Sequence, residues 1–176
     1  MVDSSTGLLR FDHVAKIPGY RALQPQSLDG DTLLIPSPMN EGTRAIRIRN
    51  SGNKLSAEEL WTSKQLKTDF SDFVVFEGHA YGADGGIFTC IDLKSGERRW
   101  KGGRYGKGQV VLLTASSLLL VAAESGEAVL LAADPKEHRE LGSFKAITGK
   151  TWNHPVVTGH RLYLRNSEEA ACFELP

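Results

Sequence analysis

The sequence predicts an all-β fold of about four β-propeller blades, each a module of four antiparallel strands. Three observations predict it. First, the chain repeats itself: Val74-Val75-Phe76-Glu77-Gly78-His79-Ala80-Tyr81 lies over Val156-Val157-Thr158-Gly159-His160-Arg161-Leu162-Tyr163 at a gapless offset of 82 residues, which also superposes Cys90 on Cys172 and Phe70 on Trp152. The segment between, Val110 to Pro135, matches either neighbour at about half that offset, and Trp61 and Trp100 stand 39 apart, so the period is near 41. Second, the apolar runs are only four to seven residues long and are bounded by Asp-Gly, Ser-Gly and Glu-Gly pairs, the signature of hairpin turns. Third, no segment keeps helical periodicity for three turns; Ser56-Ala57-Glu58-Glu59 is predicted to form one helical turn at most.

The single domain, residues 1–176, divides into blades at about 22–69, 70–108, 109–150, and 151–176 together with 1–15. In the first blade the predicted strands are Pro25 to Leu28, Thr32 to Ile35, Ala45 to Arg49 and Leu60 to Ser63, with Asn50-Ser51-Gly52-Asn53-Lys54 inserted as a polar surface loop. The second blade has Phe73 to Phe76, Ala80 to Ala83, Ile87 to Leu93 and Arg98 to Lys101. The third has Val110 to Thr114, Leu118 to Ala122, Ala128 to Ala133 and Arg139 to Phe144. The fourth has Pro155 to Val157, Arg161 to Leu164 and Ala170 to Leu175, and Leu8 to Val14 is expected to complete it and close the ring. A blade alone cannot bury both faces, so stacking against its neighbours makes the core. Two assemblies stay open: half of a larger propeller that needs a partner or dimerises, or a small closed ring.

Composition narrows the function. Lys+Arg and Asp+Glu both number 21, which removes the electrostatic footprint of a nucleic-acid or acidic-membrane binder. A 40% hydrophobic share argues for a folded chain, and the longest apolar stretch, Leu118 to Ala123, is too short to span a bilayer. Met1 to Thr6 has neither a basic nor an apolar signal region, so as written the chain reads as cytoplasmic. Cys90 and Cys172 occupy equivalent third-strand positions two blades apart, too far for a disulfide, and both are predicted to be buried apolar thiols.

The five histidines, His13, His79, His138, His154 and His160, show no metal-ligand spacing, and no nucleophile elbow or phosphate loop is present. No catalytic residue and no metal site is therefore expected. The candidate binding surface is the set of loops joining each fourth strand to the next first strand, which converge at a propeller's channel mouth. They carry Arg21 and Gln24; Lys67, Asp69 and Asp72; Tyr105, Lys107 and Gln109; and Lys150, Trp152, Asn153 and His154. Trp152 has two readings: an aromatic packed between blades, as Phe70 is read, or an exposed element of a binding site.

The segment Cys90-Ile91-Asp92-Leu93-Lys94-Ser95-Gly96-Glu97-Arg98-Arg99-Trp100 resembles the tryptophan-docking repeat A-x-D-x-x-T-G-K-x-x-W of PQQ-like β-propeller proteins. Asp3-Ser4-Ser5-Thr6-Gly7-Leu8-Leu9-Arg10-Phe11 is a second copy with Phe in the Trp place, and Asp134 to Leu141 a degraded third. The resemblance extends over Leu60 to Pro176 as the C-terminal portion of such proteins, similar to the lipoprotein scaffold of the outer-membrane β-barrel assembly machine. It implies structural docking roles for Phe11, Trp61 and Trp100, and a non-catalytic module that binds a protein, a ligand or a second half-propeller at the bacterial envelope, periplasmic or secreted. It also implies an alternative, a fragment of a quinoprotein dehydrogenase using pyrroloquinoline quinone with calcium and an Asp as base. The lack of a Cys-Cys dipeptide departs from that pattern.

Overall fold

A computed structural model describes residues 3–10, 22–37, 41–52 and 54–175. Within them the chain forms fifteen strands and a single 3₁₀ turn at Thr114–Ser116. The first sheet contains β1 (Gln26–Ser27), β2 (Thr32–Ser37), β3 (Gly42–Ser51) and β4 (Lys54–Ser63). The second contains β5 (Phe73–Phe76), β6 (His79–Asp84), β7 (Ile87–Asp92) and β8 (Arg98–Arg104). The third contains β9 (Gln109–Leu113), β10 (Leu118–Ala122), β11 (Glu127–Ala132) and β12 (Glu140–Lys145), and the fourth β13 (Val156–Thr158), β14 (Arg161–Arg165) and β15 (Ala170–Glu174). Every sheet is an antiparallel meander in sequence order, which is the plan of a propeller blade.

The tight turns follow the residues that permit them. Glu77 and Gly78 both have positive φ, 46° and 76°, closing the two-residue hairpin between β5 and β6 with the backbone that matches strand twist. Two expectations are corrected in the first sheet. Ser56 to Glu59 is strand, not a helical turn, and the predicted insertion is no free loop: β3 and β4 stay paired up to Ser51 and Lys54 across a turn at Gly52. Cross-strand charge explains this. Arg49 of β3 holds Glu58 of β4 at 2.5 Å and Arg44 holds Glu59 at 3.7 Å, so opposite charges on the two strands attract each other.

Three cores join consecutive sheets. Leu34 and Ala45 of the first sheet meet Phe73, Ala80 and Ile91 of the second. Tyr81, Phe88, Cys90 and Trp100 on the other face of the second meet Val110, Leu119, Val129 and Leu131 of the third. Leu120, Ala122 and Ala128 of the third then meet Leu162 and Leu164 of the fourth. Among the described residues no such core joins the fourth sheet to the first, and over those residues the four blades form an open arc. The expected completion of the fourth blade by Leu8 to Val14 falls partly outside the described residues, and Leu8 and Leu9 are exposed. Cys90 is buried, which pushes its thiol up to about 12, whereas Cys172 is exposed. The expectation of two buried thiols fails at Cys172 because, among the described residues, no sheet covers that face.

The turn between third and fourth strands is built around an aspartate. Asp92 accepts the amides of Lys94 and Ser95 on Oδ1 at 2.8 and 3.1 Å, and its carbonyl accepts the amide of Gly96 at 2.8 Å. Asp3 repeats the set with Ser5, Thr6 and Gly7, at 3.0, 3.1 and 2.8 Å. The Ser5 hydroxyl, followed by the two amides, holds the Asp3 carboxyl down at about 2. At Asp134, where Pro135 follows, one side-chain bond of this kind remains, to the Lys136 amide. Trp61 of the first sheet donates its indole N–H to the Leu93 carbonyl at 3.0 Å, and Trp100 of the second donates to the Asp134 carbonyl at 2.7 Å. Each indole thus reaches the turn of the following blade. Phe11 lies outside the described residues.

Gly96 combines a positive φ of 73° with the approach of Trp61, whose Cε3 would stand 2.7 Å from an added Cβ. Gly78 has a similar φ of 76° but open space around it. Gly96→Ala is therefore expected to lower unfolding free energy by about 2–3 kcal/mol and Gly78→Ala by about 1 kcal/mol, measured by urea denaturation. Equal losses would show that the indole contact adds nothing.

Candidate channel-mouth site

In an antiparallel meander the start of the first strand, the hairpin between second and third, and the end of the fourth all lie at one end of the sheet. The loops between blades and these hairpins therefore converge. Gln109, at the first position of β9, is their buried junction. Its carbonyl oxygen accepts the Asp72 amide at 2.8 Å, and its Nε2 donates to the carbonyls of Phe70 and Trp152 at 3.3 and 3.1 Å. One side chain of the third blade thereby fixes loops of the second and fourth, satisfying backbone groups that would otherwise be costly to bury.

Around this junction Trp152 is pinned but not covered. Its indole N–H donates to Glu124 Oε1 at 2.9 Å, the Phe70 ring meets it edge-on at 5.1 Å, and the Lys150 ammonium stands 4.8 Å from its ring centre. It is nevertheless 46% exposed. Glu124 also accepts the Lys107 amide at 2.9 Å and faces Lys150 at 3.9 Å. The Lys107 amide, then the Trp152 indole and Lys150, hold the Glu124 carboxyl below its ordinary value against the opposing effect of partial burial. Lys107 pairs with Asp69 and lies over the Phe70 ring, and His154 Nε2 stands 3.2 Å from Asp72.

A second polar group lies at the same end of the second blade. The buried carboxylate of Asp84, the last residue of β6, is met by Arg98 at 2.8 Å, Lys101 at 2.5 Å and Lys67 at 3.5 Å.

The structure thus brings Asp69, Asp72, Lys107, Gln109, Lys150, Trp152 and His154 of the sequence-derived set into one network. Lys67 turns instead to Asp84. Tyr105 departs as well: its hydroxyl is held by His138 at 2.9 Å and Glu140 at 3.1 Å, and its ring packs on Phe88, so it belongs to the seam between second and third blades. Gln24 is exposed, and the tie to the second blade comes from Gln26, whose Nε2 donates to the Phe73 carbonyl at 2.7 Å. Asn153 is half-buried beside Trp152. Arg21 lies outside the described residues. Sequence reasoning missed Glu124 and Asp84. Both sit at the end of a second strand, and the same antiparallel rule that placed the loops would have placed them.

The donor set does not suit a calcium-bound quinone. Asp69 is engaged by Lys107, Asp72 by His154 and Glu124 by an indole, an amide and Lys150, and among the described residues no three metal-ligating side chains gather.

No family model matches the chain, and no curated protein matches it. Among solved structures it is similar to BamB from Moraxella catarrhalis, with a TM-score of 0.59 at 18% identity over 83% of this chain and 44% of that one. It is also similar to the computationally designed Ika8 protein, with a TM-score of 0.50 at 9% identity over 86% of this chain and 57% of that one. The chain spans less than half the length of BamB, and at these identities the likeness is one of fold.

Two outcomes follow from the network. Gln109→Ala leaves one amide and two carbonyls without their partner and is expected to cost about 1–3 kcal/mol in urea denaturation, against a fraction of that for exposed Gln24→Ala. Because Glu124 titrates lower in the folded chain than unfolded, its stabilisation is present above the ordinary value of 4.5 and is lost as pH falls through the lower folded value. The tryptophan fluorescence of the chain, less that of Trp152→Phe, should change on acidification below pH 4.5, and Glu124→Gln should flatten that change.

Proposed function

We propose that this chain is a non-catalytic β-propeller module that binds a protein partner through its channel mouth, with Trp152 as the anchor. The observation that carries the reading is that Trp152 is 46% exposed while Glu124 holds its indole N–H and Phe70 and Lys150 pack on its ring. An aromatic ring immobilised before a partner arrives loses little entropy on binding, and such residues dominate interface energetics. The surrounding charges are paired, as suits a polar rim around an anchor rather than a site that performs acid–base chemistry.

The likeness to BamB and the repeat resembling tryptophan-docking propellers support an assembly role at the bacterial envelope, in the periplasm. The chain would act there as a PQQ-like propeller without the quinone. The engaged carboxylates at the mouth speak against the dehydrogenase alternative.

A photo-crosslinking residue at position 153, beside the anchor, tests the proposal in cells. A discrete protein adduct is expected, lost at least tenfold with Trp152→Ala and with Lys150→Glu while the melting temperature stays within a few degrees. An adduct indifferent to both substitutions, or quinone-dependent dye reduction by the purified chain, would overturn it.

A further inference from the structure

One buried carboxylate of the second blade gathers more positive charge than it can balance. Asp84 ends β6 at 1% exposure, and the partners of its side chain are all cations: Arg98 and Lys101 on Oδ2 at 2.8 and 2.5 Å, and Lys67 beside Oδ1 at 3.5 Å. Three cations against one carboxylate leave two positive charges at one place, and among the described residues no other carboxylate pairs with these three. Asp69 and Asp72, next along the loop from Lys67, are held by Lys107 and His154, and Glu97 beside Arg98 is exposed. Lys64 and Glu41, on neighbouring loops, add one charge of each sign.

The fold does not require this arrangement. At the offset of 82 the fourth blade has Asn166 where the second has Asp84, and Gly149 where it has Lys67. Asn166 ties its loops with a neutral amide: Nδ2 donates to the Thr148 carbonyl at 2.7 Å, and Oδ1 accepts the amides of Glu168 and Glu169, each at 2.9 Å. Among the described residues the Asp84 carboxylate accepts no backbone amide, and its hydrogen bonds come from Arg98 and Lys101. It therefore does not replace Asn166 as a loop tie. What it does is hold a guanidinium and two ammonium groups around one point.

We infer that Lys67, Arg98 and Lys101 form a binding site for a dianionic phosphate group, as inorganic phosphate or a phosphate monoester, with Asp84 as the residue that positions them. Charge selects the ligand, because the roughly −2 of such a group near neutral pH cancels what Asp84 leaves uncompensated. Donors remain for it. Asp84 Oδ1 has no hydrogen bond, so Lys67 stands beside it with its N–H groups unspent on the carboxylate. Lys101 gives one N–H to Oδ2, and Arg98 gives both hydrogens of Nη2, to Asp84 and to the Gln65 carbonyl at 3.3 Å, which leaves its Nη1 and Nε. The three side chains are 27–32% exposed, so a solute reaches them from water. Charge-assisted bonds from Arg and Lys are the usual means of holding phosphate. The site does not rest on the Trp152 anchor, since phosphate binding and the adduct at position 153 are read separately.

Calorimetric titration of the full chain with inorganic phosphate, and separately with glycerol phosphate, tests it against sodium chloride at matched ionic strength. Saturable binding of one phosphate per chain is expected. Binding of both probes assigns the site to the phosphate group itself, and binding of inorganic phosphate without the ester assigns it to the free ion. Lys67→Met and Lys101→Met should each weaken the affinity at least tenfold, with the melting temperature as a control on folding. Lys136→Met, on the turn of the third blade, should leave it unchanged. Asp84→Asn keeps the side chain's volume and makes the site more positive, yet it should weaken binding because the cations are no longer gathered. Heat no greater than that of chloride would sink the inference. So would a loss smaller than tenfold in either lysine variant, an equal loss in Lys136→Met, or tighter binding by Asp84→Asn.

Discussion

Each sheet of this protein carries apolar side chains on both faces, and four short strands have no way to bury both by themselves. Burial comes from the next sheet. Ile91 is sealed by the blade before it and Cys90, its neighbour in sequence, by the blade after it. At about 1.5–3 kcal/mol for a fully buried large apolar side chain, these shared cores outweigh any interaction that a blade makes within itself. Cooperativity therefore runs along the arc from neighbour to neighbour, and a blade face without a neighbour is an unsatisfied one.

That constraint explains where the sequence is inflexible. Apolar contact alone permits sheets to slide, and the tie between an indole and the following turn removes the freedom. Trp61 and Trp100 each spend their single N–H on a carbonyl in the next blade, and the turn that Trp61 reaches is one that Asp92 has wound into a fixed shape. Gly96 is required twice over, by its positive φ and by the ring above it. The third blade lacks both features, with Pro135 in the turn and Leu141 where an indole would stand. Its outer strand is correspondingly exposed, with Leu141 at 46% and Phe144 at 41% exposure.

The channel mouth solves the same problem with polar groups. Loops between blades are too irregular to pair with one another as strands do, so Gln109 supplies donors and acceptor from a side chain. Glu124 does likewise for the Lys107 amide and the Trp152 indole. The result is a rigid rim in which one large ring remains half in water.

By itself the sequence determined what local chemistry dictates. Strand spacing, the Glu77-Gly78 hairpin and the aspartate-Gly96 turn were legible because each depends on residues a few positions apart, and the 82-residue repeat announced that the modules stack. Ser56 to Glu59 misled because its composition suits a helix, and the arginines that draw it into a strand lie on another segment. Only the tertiary structure decided that Cys90 is sealed and Cys172 open, that Tyr105 leaves the mouth for a seam, and that Glu124 and Asp84 join groups read as separate loops. The physical reason is the same in each case. Identical residues at repeat-equivalent positions make the same strand pairing, but exposure and charge pairing belong to the neighbour, and which neighbour a blade has is a property of the assembled arc rather than of the blade's own sequence.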